Sequence, residues 1–379
     1  MRQTHLHRVL VIQRRMTHYR VPFFDALKLA LSKRDCELAL AHGAPTQEER
    51  RKDDEGVVPW AEHLDTSYGL GGRICWQPFG NLLRDAELTV MTLENKLLYN
   101  LYAQFVVRDR RVALWGHGAN LQGSQHSLRE RFKRRVARKA DWWFGYTDLS
   151  VPLILRSGFP EDRITVLNNA VDTAQLRQMR ASVDEAANAL VRSSLQLQGA
   201  CVGTFVGSLY KEKRVGFMLD AALAIKAKMP EFEFLVVGAG PDESRVQSFC
   251  AKHPWAKYLG TLQGQEKANI LALSHVLINP GLVGLGLLDA FATAVPLVTT
   301  DCHLHSPEIA YLKNGENGLM TADSLADYVA AVVGLLQNPH ALTLLRKGCE
   351  RSAHQYNIEN MASNFADGVL RCLQAPIRR

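Results

Sequence analysis

The sequence predicts an α/β protein built from two doubly wound parallel-sheet domains facing each other across a cleft. Three observations predict it. Short β-branched or aromatic runs alternate with helical stretches along the whole chain. The alternation restarts after a polar joint at Asn168–Thr173. The 379 residues also leave each half long enough to bury a core of its own. In the first half, Arg8–Ile12 reads as a strand, Val21–Leu31 as a helix and Cys36–Ala41 as a strand. Glu87–Thr92 (strand), Lys96–Val107 (helix), Val112–Trp115, Trp142–Thr147 and Ile164–Leu167 (strands) continue the pattern. Past the joint, Ala174–Leu197 reads as a polar helix, and Val202–Val206, Phe232–Val237, Val276–Ile278 and Pro296–Thr299 as strands. From Tyr356 onward Met361, Phe365, Val369 and Leu373 recur at helical spacing. The expected domains are 1–170 and 171–355, with a terminal helix, 356–379, packing back on the first.

Composition excludes several classes. With 47% hydrophobic and 22% charged residues the chain is neither disordered, collagen-like nor a small disulfide scaffold. The net charge of +7 is lopsided: residues 1–170 hold 26 basic and 19 acidic side chains, whereas the remainder is balanced. The first half should therefore meet something anionic. Residues 128–140 carry seven cations and one acid, with Leu128, Phe132 and Val136 as a thin apolar stripe. That helix would rest on anionic lipid or present a solvated face. No aromatic-interleaved basic groove accompanies it, which argues against nucleic acid. Seven scattered cysteines without a CxxC suggest free thiols in a reducing compartment, with neither a disulfide framework nor a zinc site. The longest apolar stretch, Val276–Val298, is interrupted by Asn279, Pro280, Asp289 and Pro296, so no membrane span is expected. The expected location is the cytoplasm, with peripheral contact at the inner face of a membrane.

Chemistry should gather in loops that follow strands, because ligands of such sheets sit at strand carboxyl ends. Gly207-Ser208-Leu209-Tyr210-Lys211-Glu212-Lys213-Arg214 offers a glycine turn and three cations, either an anion site or a solvated helix start. Gly238-Ala239-Gly240 is a weaker signal, better read on its own as a tight turn feeding a helix. Gly281-Leu282-Val283-Gly284-Leu285-Gly286-Leu287 carries three glycines before a helix, where converging amides can cradle phosphate. Asp289 follows on the first turn, either matching the helix dipole or accepting bonds from ribose. His117 lies between two glycines after a strand, so its ring should project into the cleft.

In this order and at these intervals, the segments resemble the retaining glycosyltransferases of the GT-B fold, family 4 type. Val166 to Asp172 resembles the family's hinge motif, Val237 to Pro241 its VGxGP turn, and Asn279 to Val298 its glycine-rich donor loop and helix. Pro307 to Met320 resembles its PEIVxxGxxGLLV stretch. Together these cover residues 164–320. The resemblance implies two Rossmann-like domains and transfer of a sugar from a nucleotide-diphosphate donor to a glycan or lipid-linked saccharide, with no cofactor beyond that co-substrate. It implies donor contacts at Gly207, Ser208, Lys211, Lys213, Gly238, Gly240, Gly284, Leu285, Gly286, Leu287, Asp289 and Glu308. His117 and Lys213 would be catalytic, and Arg14, Arg15, Tyr19 and Arg20 would face the acceptor. Three positions depart from the pattern: Ser208 replaces the family's diphosphate arginine, Gly281 its first glutamate and Asp289 its second. The chain has no Asp-x-Asp triplet to hold a divalent metal, so Lys213 and loop amides would have to stabilise the leaving group. An epimerase or phosphorylase on the same fold, or a non-catalytic nucleotide-sugar binder, are the alternatives.

Overall fold

The computed structural model describes residues 5–51, 54–94, 96–106, 109–118 and 136–378. Most of the basic stretch 128–140 therefore lies outside the described residues. The chain divides into two compact units, one formed by Met1–Asp172 with Asn357–Arg379 and the other by Thr173–Tyr356.

Unit 1 is organised by a seven-stranded parallel sheet. Its strands are β1 (His7–Arg15), β2 (Cys36–Gly43) and β3 (Glu62–His63), and then, after a small antiparallel hairpin of β4 (Ser67–Gly69) and β5 (Ile74–Trp76), β6 (Leu88–Thr92), β7 (Arg111–Gly116), β8 (Trp142–Gly145) and β9 (Ile164–Val166). The spatial order is β3-β2-β1-β6-β7-β8-β9, so the direction of winding reverses between β1 and β6. Val9–Ile12 and Leu88–Met91 are continuous buried runs because both faces of the sheet are covered. The helix Val21–Ser32 starts with proline in its first turn, where the missing N–H costs nothing, and buries Phe23, Phe24, Leu27 and Leu31.

The terminal helix, Ile358–Gln374, is capped by Asn357, whose side chain accepts from the Asn360 amide. Its buried stripe includes Met361, Phe365, Val369 and Cys372. Phe365 stacks on Phe144 at 4.3 Å and meets the edge of Trp115 at 5.4 Å and the tilted ring of Phe23 at 6.1 Å. The helix thus completes the core of unit 1.

Unit 2 has a six-stranded parallel sheet of β10 (Cys201–Val206), β11 (Phe232–Val237), β12 (Ala256–Tyr258), β13 (Val276–Ile278), β14 (Leu297–Thr300) and β15 (Gly318–Thr321). They are ordered β12-β11-β10-β13-β14-β15, which places the switch point between β10 and β13. One correction concerns the stretch expected as a single helix, Ala174–Leu197. It is two helices, Ala174–Ala181 and Glu185–Ser194, because Asp184 caps the second by accepting from the Ala187 amide.

Replacing Phe365 by Ala removes a fully buried ring from a four-aromatic cluster. It should cost about 3–5 kcal/mol of stability, read as a lower urea midpoint in equilibrium denaturation.

Candidate functional site

In unit 2 the loops after β10 and β13 meet at the switch point, and Lys213 joins them. Its ammonium donates to the Leu282 carbonyl at 2.6 Å and sits 5.9 Å from the Tyr210 ring. Burial pushes this amine down to about 8. No carboxylate pairs with it among the described residues. The neighbouring Arg214 is turned elsewhere by its left-handed backbone (φ 56°): its guanidinium pairs with Asp323 and donates to Thr300 Oγ1 at 3.1 Å. Ser208 and Lys211 are exposed. The local backbone therefore sorts three neighbouring cations into one exposed, one half-buried without a carboxylate partner, and one structural.

The glycines make the loops fit. A Cβ on Gly238 would overlap the Gly207 carbonyl, and one on Gly240 would overlap Leu209. The two loops are laced together by Leu209 N–H to the Ala239 carbonyl (2.8 Å) and Asp242 N–H to the Leu209 carbonyl (3.0 Å). Gly238 and Gly240 thus support the Gly207–Leu209 turn from behind. Gly281 has the same logic: a Cβ there would collide with the Glu212 and Lys213 backbone, and Leu282 N–H donates to the Glu212 carbonyl at 2.8 Å. The position where the resemblance calls for glutamate is closed to any side chain by the Lys213 turn.

The loop Gly281–Gly286 then enters the helix Gly286–Ala292. His305, which the sequence reading did not single out, pins this loop: its Nδ1 accepts the Val283 N–H at 3.1 Å and its Nε2 faces the Thr300 carbonyl at 2.8 Å. These partners fix the tautomer with the proton on Nε2, and burial holds the ring below its usual pKa. A lone histidine in a loop carries no periodic signal, so spacing gave no cue. Asp289 receives the Lys267 ammonium at 2.6 Å; the same carboxylate is the one read as a ribose acceptor. Glu308 is buried at 4% exposure, and a Cβ built on Gly284 would lie 4.0 Å from its Oε2. Leu287 is buried in the helix, with its amide bonded to the Gly284 carbonyl at 3.0 Å, whereas the amides of Gly284, Leu285 and Gly286 have no backbone partner among the described residues.

In unit 1 the segment after β1 divides likewise. Arg14 is held by Glu49 in two bonds (2.8 and 2.6 Å) and donates to Tyr68 at 3.2 Å. Arg15 is held by Asp54 at 2.7 and 2.9 Å. These two arginines, expected to face an acceptor, are engaged in binding their own loops. Arg20 instead lies over Trp115 (5.1 Å), Tyr146 (5.7 Å) and Tyr19 (5.5 Å) and donates to Asn169 Oδ1 at 3.1 Å. His117 follows β7, exposed, with its ring edge-on to Tyr146 at 4.3 Å. Although the residue as a whole is exposed, its ring is set against Tyr146, and desolvation, with the Arg20 charge second, lowers the pKa of the imidazole, which is neutral at pH 7. Tyr19, Arg20 and His117 form one cluster at the carboxyl ends of β1 and β7; Arg14 and Arg15 are not part of it.

Residues 200–338 match the family model described as glycosyl transferases group 1. Alpha-monoglucosyldiacylglycerol synthase of Acholeplasma laidlawii is 24% identical over 169 residues, which are 43% of this chain and 42% of that protein. The chain thus spans under half the length of this curated relative. Among solved structures, Anabaena Alr3699/HepE in complex with UDP is 13% identical, with 96% of this chain and 99% of that one covered at a TM-score of 0.68. A glycosyltransferase from Rickettsia africae ESF-5 is 10% identical, with 98% and 99% covered at 0.71. Unit 2 therefore carries a group 1 glycosyltransferase domain, and the chain has the GT-B fold, as the sequence resemblance implied.

Two measurements check these contacts. Gly281→Ala should lower the melting temperature through overpacking of about 1–3 kcal/mol. Glu49 is held at about 2 by hydrogen bonds from Arg14, below its ordinary 4.5. Its contribution is full above pH 4.5 and lost as pH falls toward 2, about 2–3 kcal/mol in all. Acid-unfolding curves of Glu49→Gln should be correspondingly flatter across that window.

Proposed function

We propose that the protein transfers a sugar from a nucleoside-diphosphate donor to a saccharide or lipid-linked acceptor, without a metal and with retention of configuration. The observation that carries this reading is the half-buried ammonium of Lys213, partly desolvated and without a carboxylate partner, beside the Gly281–Gly286 loop. A desolvated cation without a carboxylate is a poor structural element and a good anion receptor. Breaking a sugar–phosphate bond builds negative charge on the departing diphosphate. Lys213, with Lys211 and the amides of Gly284, Leu285 and Gly286, would offset that charge in place before the bond breaks, each donor contributing about 3–4 kcal/mol. Asp289 would take the ribose hydroxyls while sharing Lys267, and Glu308 would orient the donor sugar. In unit 1, Tyr19, Arg20 and His117 would bind the acceptor, the neutral imidazole offering one donor and one acceptor to hydroxyl groups.

Solved structural neighbours support the donor class: Anabaena HepE is seen in complex with UDP-glucose. The relative from Acholeplasma laidlawii is named for a glycolipid product, which supports a lipid-linked acceptor. A second reading, nucleotide-sugar binding without turnover, is favoured by one observation: Gly281 leaves no room for the carboxylate that the family pattern has there.

Calorimetry with UDP tests the site. Lys213→Ala should weaken UDP at least tenfold. Because a bound diphosphate holds the proton on Lys213, wild-type affinity should fall as pH rises through about 8, while the variant shows no such step. Equal affinity of the two proteins would refute the assignment. Sugar transfer that proceeds equally in EDTA and in magnesium separates the leading reading from a metal-assisted one; UDP binding with no turnover on any acceptor supports the second.

A further inference from the structure

At the opposite end of the unit 1 sheet from Tyr19 and His117, the amino ends of β1 and β6 bring together His5, His7 and Glu87. His5 Nε2 lies 2.9 Å from Glu87 Oε1, and His7 Nδ1 lies 2.9 Å from Glu87 Oε2. The three ligand atoms all fall within 4.8 Å of one another. We infer that these side chains form a binding site for a divalent first-row transition ion of the Zn²⁺ type, placed to clip the start of β1 to the start of β6.

The geometry comes from the sheet. Residues two apart on an extended chain point to the same side, so His5-Leu6-His7 offers both rings to one neighbour. Glu87 is that neighbour, because its amide donates to the Arg8 carbonyl at 2.9 Å as β6 begins to pair with β1. His7 is anchored by its own amide, which donates to the Asp35 carbonyl at 3.0 Å. Tetrahedral zinc with nitrogen and oxygen ligands at about 2.0–2.2 Å requires ligand atoms roughly 3.3 Å apart. The two N···O separations, made to different oxygens of Glu87, need to open by a few tenths of an ångström, and the remaining separation, within 4.8 Å, to close toward the same value. Two imidazoles and a carboxylate suit zinc, nickel or copper rather than magnesium or calcium.

The proton count also closes. In the ion-free form each ring donates its N–H to Glu87. When the ion enters, the nitrogen of each ring that faces Glu87 gives up its proton, to the other ring nitrogen of a neutral ring or to solvent from a charged one, and the carboxylate exchanges those hydrogen bonds for the metal. Hydrogen bonds from His7 and His5 hold Glu87 below the usual carboxylate range, against the opposing effect of burial. Water completes the coordination, since the His5 side chain is 72% exposed. Cys36, opposite His7 in the β1–β2 register, stays outside the set: burial raises its thiol, which donates to the Arg34 carbonyl at 3.4 Å.

The test is calorimetric titration of the untagged full chain with ZnCl₂, followed by Co²⁺ absorption. One equivalent should bind with micromolar affinity, and His7→Ala and Glu87→Gln should each weaken it at least tenfold. His5→Ala changes an exposed side chain, so it serves if the other variants fail to fold; it should weaken the ion at least threefold. The Co²⁺ spectrum should show nitrogen and oxygen ligation with no thiolate charge-transfer band. Three results would overturn the inference: millimolar or absent zinc binding, affinity unchanged in His5→Ala and Glu87→Gln, or a thiolate band.

Discussion

The candidate site of unit 2 depends on where the Lys213 charge has been put. An ammonium drawn out of water loses far more solvation than one carbonyl returns, which is why its pKa is depressed. A carboxylate partner would have removed that deficit and repelled an incoming anion as well. The Leu282 carbonyl orients the side chain without neutralising it. One residue later, the left-handed backbone of Arg214 sends an equally charged side chain to Asp323 and the end of β14. Two consecutive cations thus separate into a receptor and a fastener through a single dihedral angle. Moving Lys213 would also release the Leu282 carbonyl, so the charge and the shape of the β13 loop are one arrangement.

The close packing behind that lysine explains a chemical departure that the sequence alone leaves unexplained. Gly281 stands where the family resemblance calls for an acid, and read by itself it suggests a missing function. In the structure the same position is where the Glu212–Lys213 backbone crosses the β13 loop, and only a residue without a Cβ permits the crossing. Gly238 and Gly240 do the equivalent for the turn after β10. These glycines set how closely three loops stack, and His305 fixes the outermost of them through two backbone bonds.

Much of the fold was legible because central parallel strands are buried on both faces and so read as unbroken apolar runs. Phe232–Val237 and Val276–Ile278 stand in the structure with the bounds their composition implies. Of the four edge strands only β9, with its β-branched run Ile164-Thr165-Val166, was legible; β3, β12 and β15 are short and partly exposed, and nothing in Glu62-His63 or Ala256-Lys257-Tyr258 distinguishes them from loop. The break at Asp184 was overlooked because an acid inside a polar helical stretch looks the same whether it is solvated or caps a new helix. At the candidate site, the glycine-rich loops stand out by local spacing, whereas Lys213 is set apart from Lys211 and Arg214 only by the family resemblance. The pairings of Asp289 with Lys267, Arg14 with Glu49 and Arg15 with Asp54 were not readable, since they join elements whose proximity only the sheet order creates.

The helix Ile358–Gln374 belongs to unit 1, although all of unit 2 separates it from the rest of that unit in sequence. This sets an order of events on the ribosome. Thr173–Tyr356 is a continuous segment, able to assemble its sheet as soon as it emerges. The earlier-made segment must wait, because Phe23, Trp115 and Phe144 lack the ring of Phe365 until the last helix has been translated. In this chain the unit whose strands are made first is completed only after the inserted unit, and until then its aromatic cluster lacks the Phe365 ring that covers it.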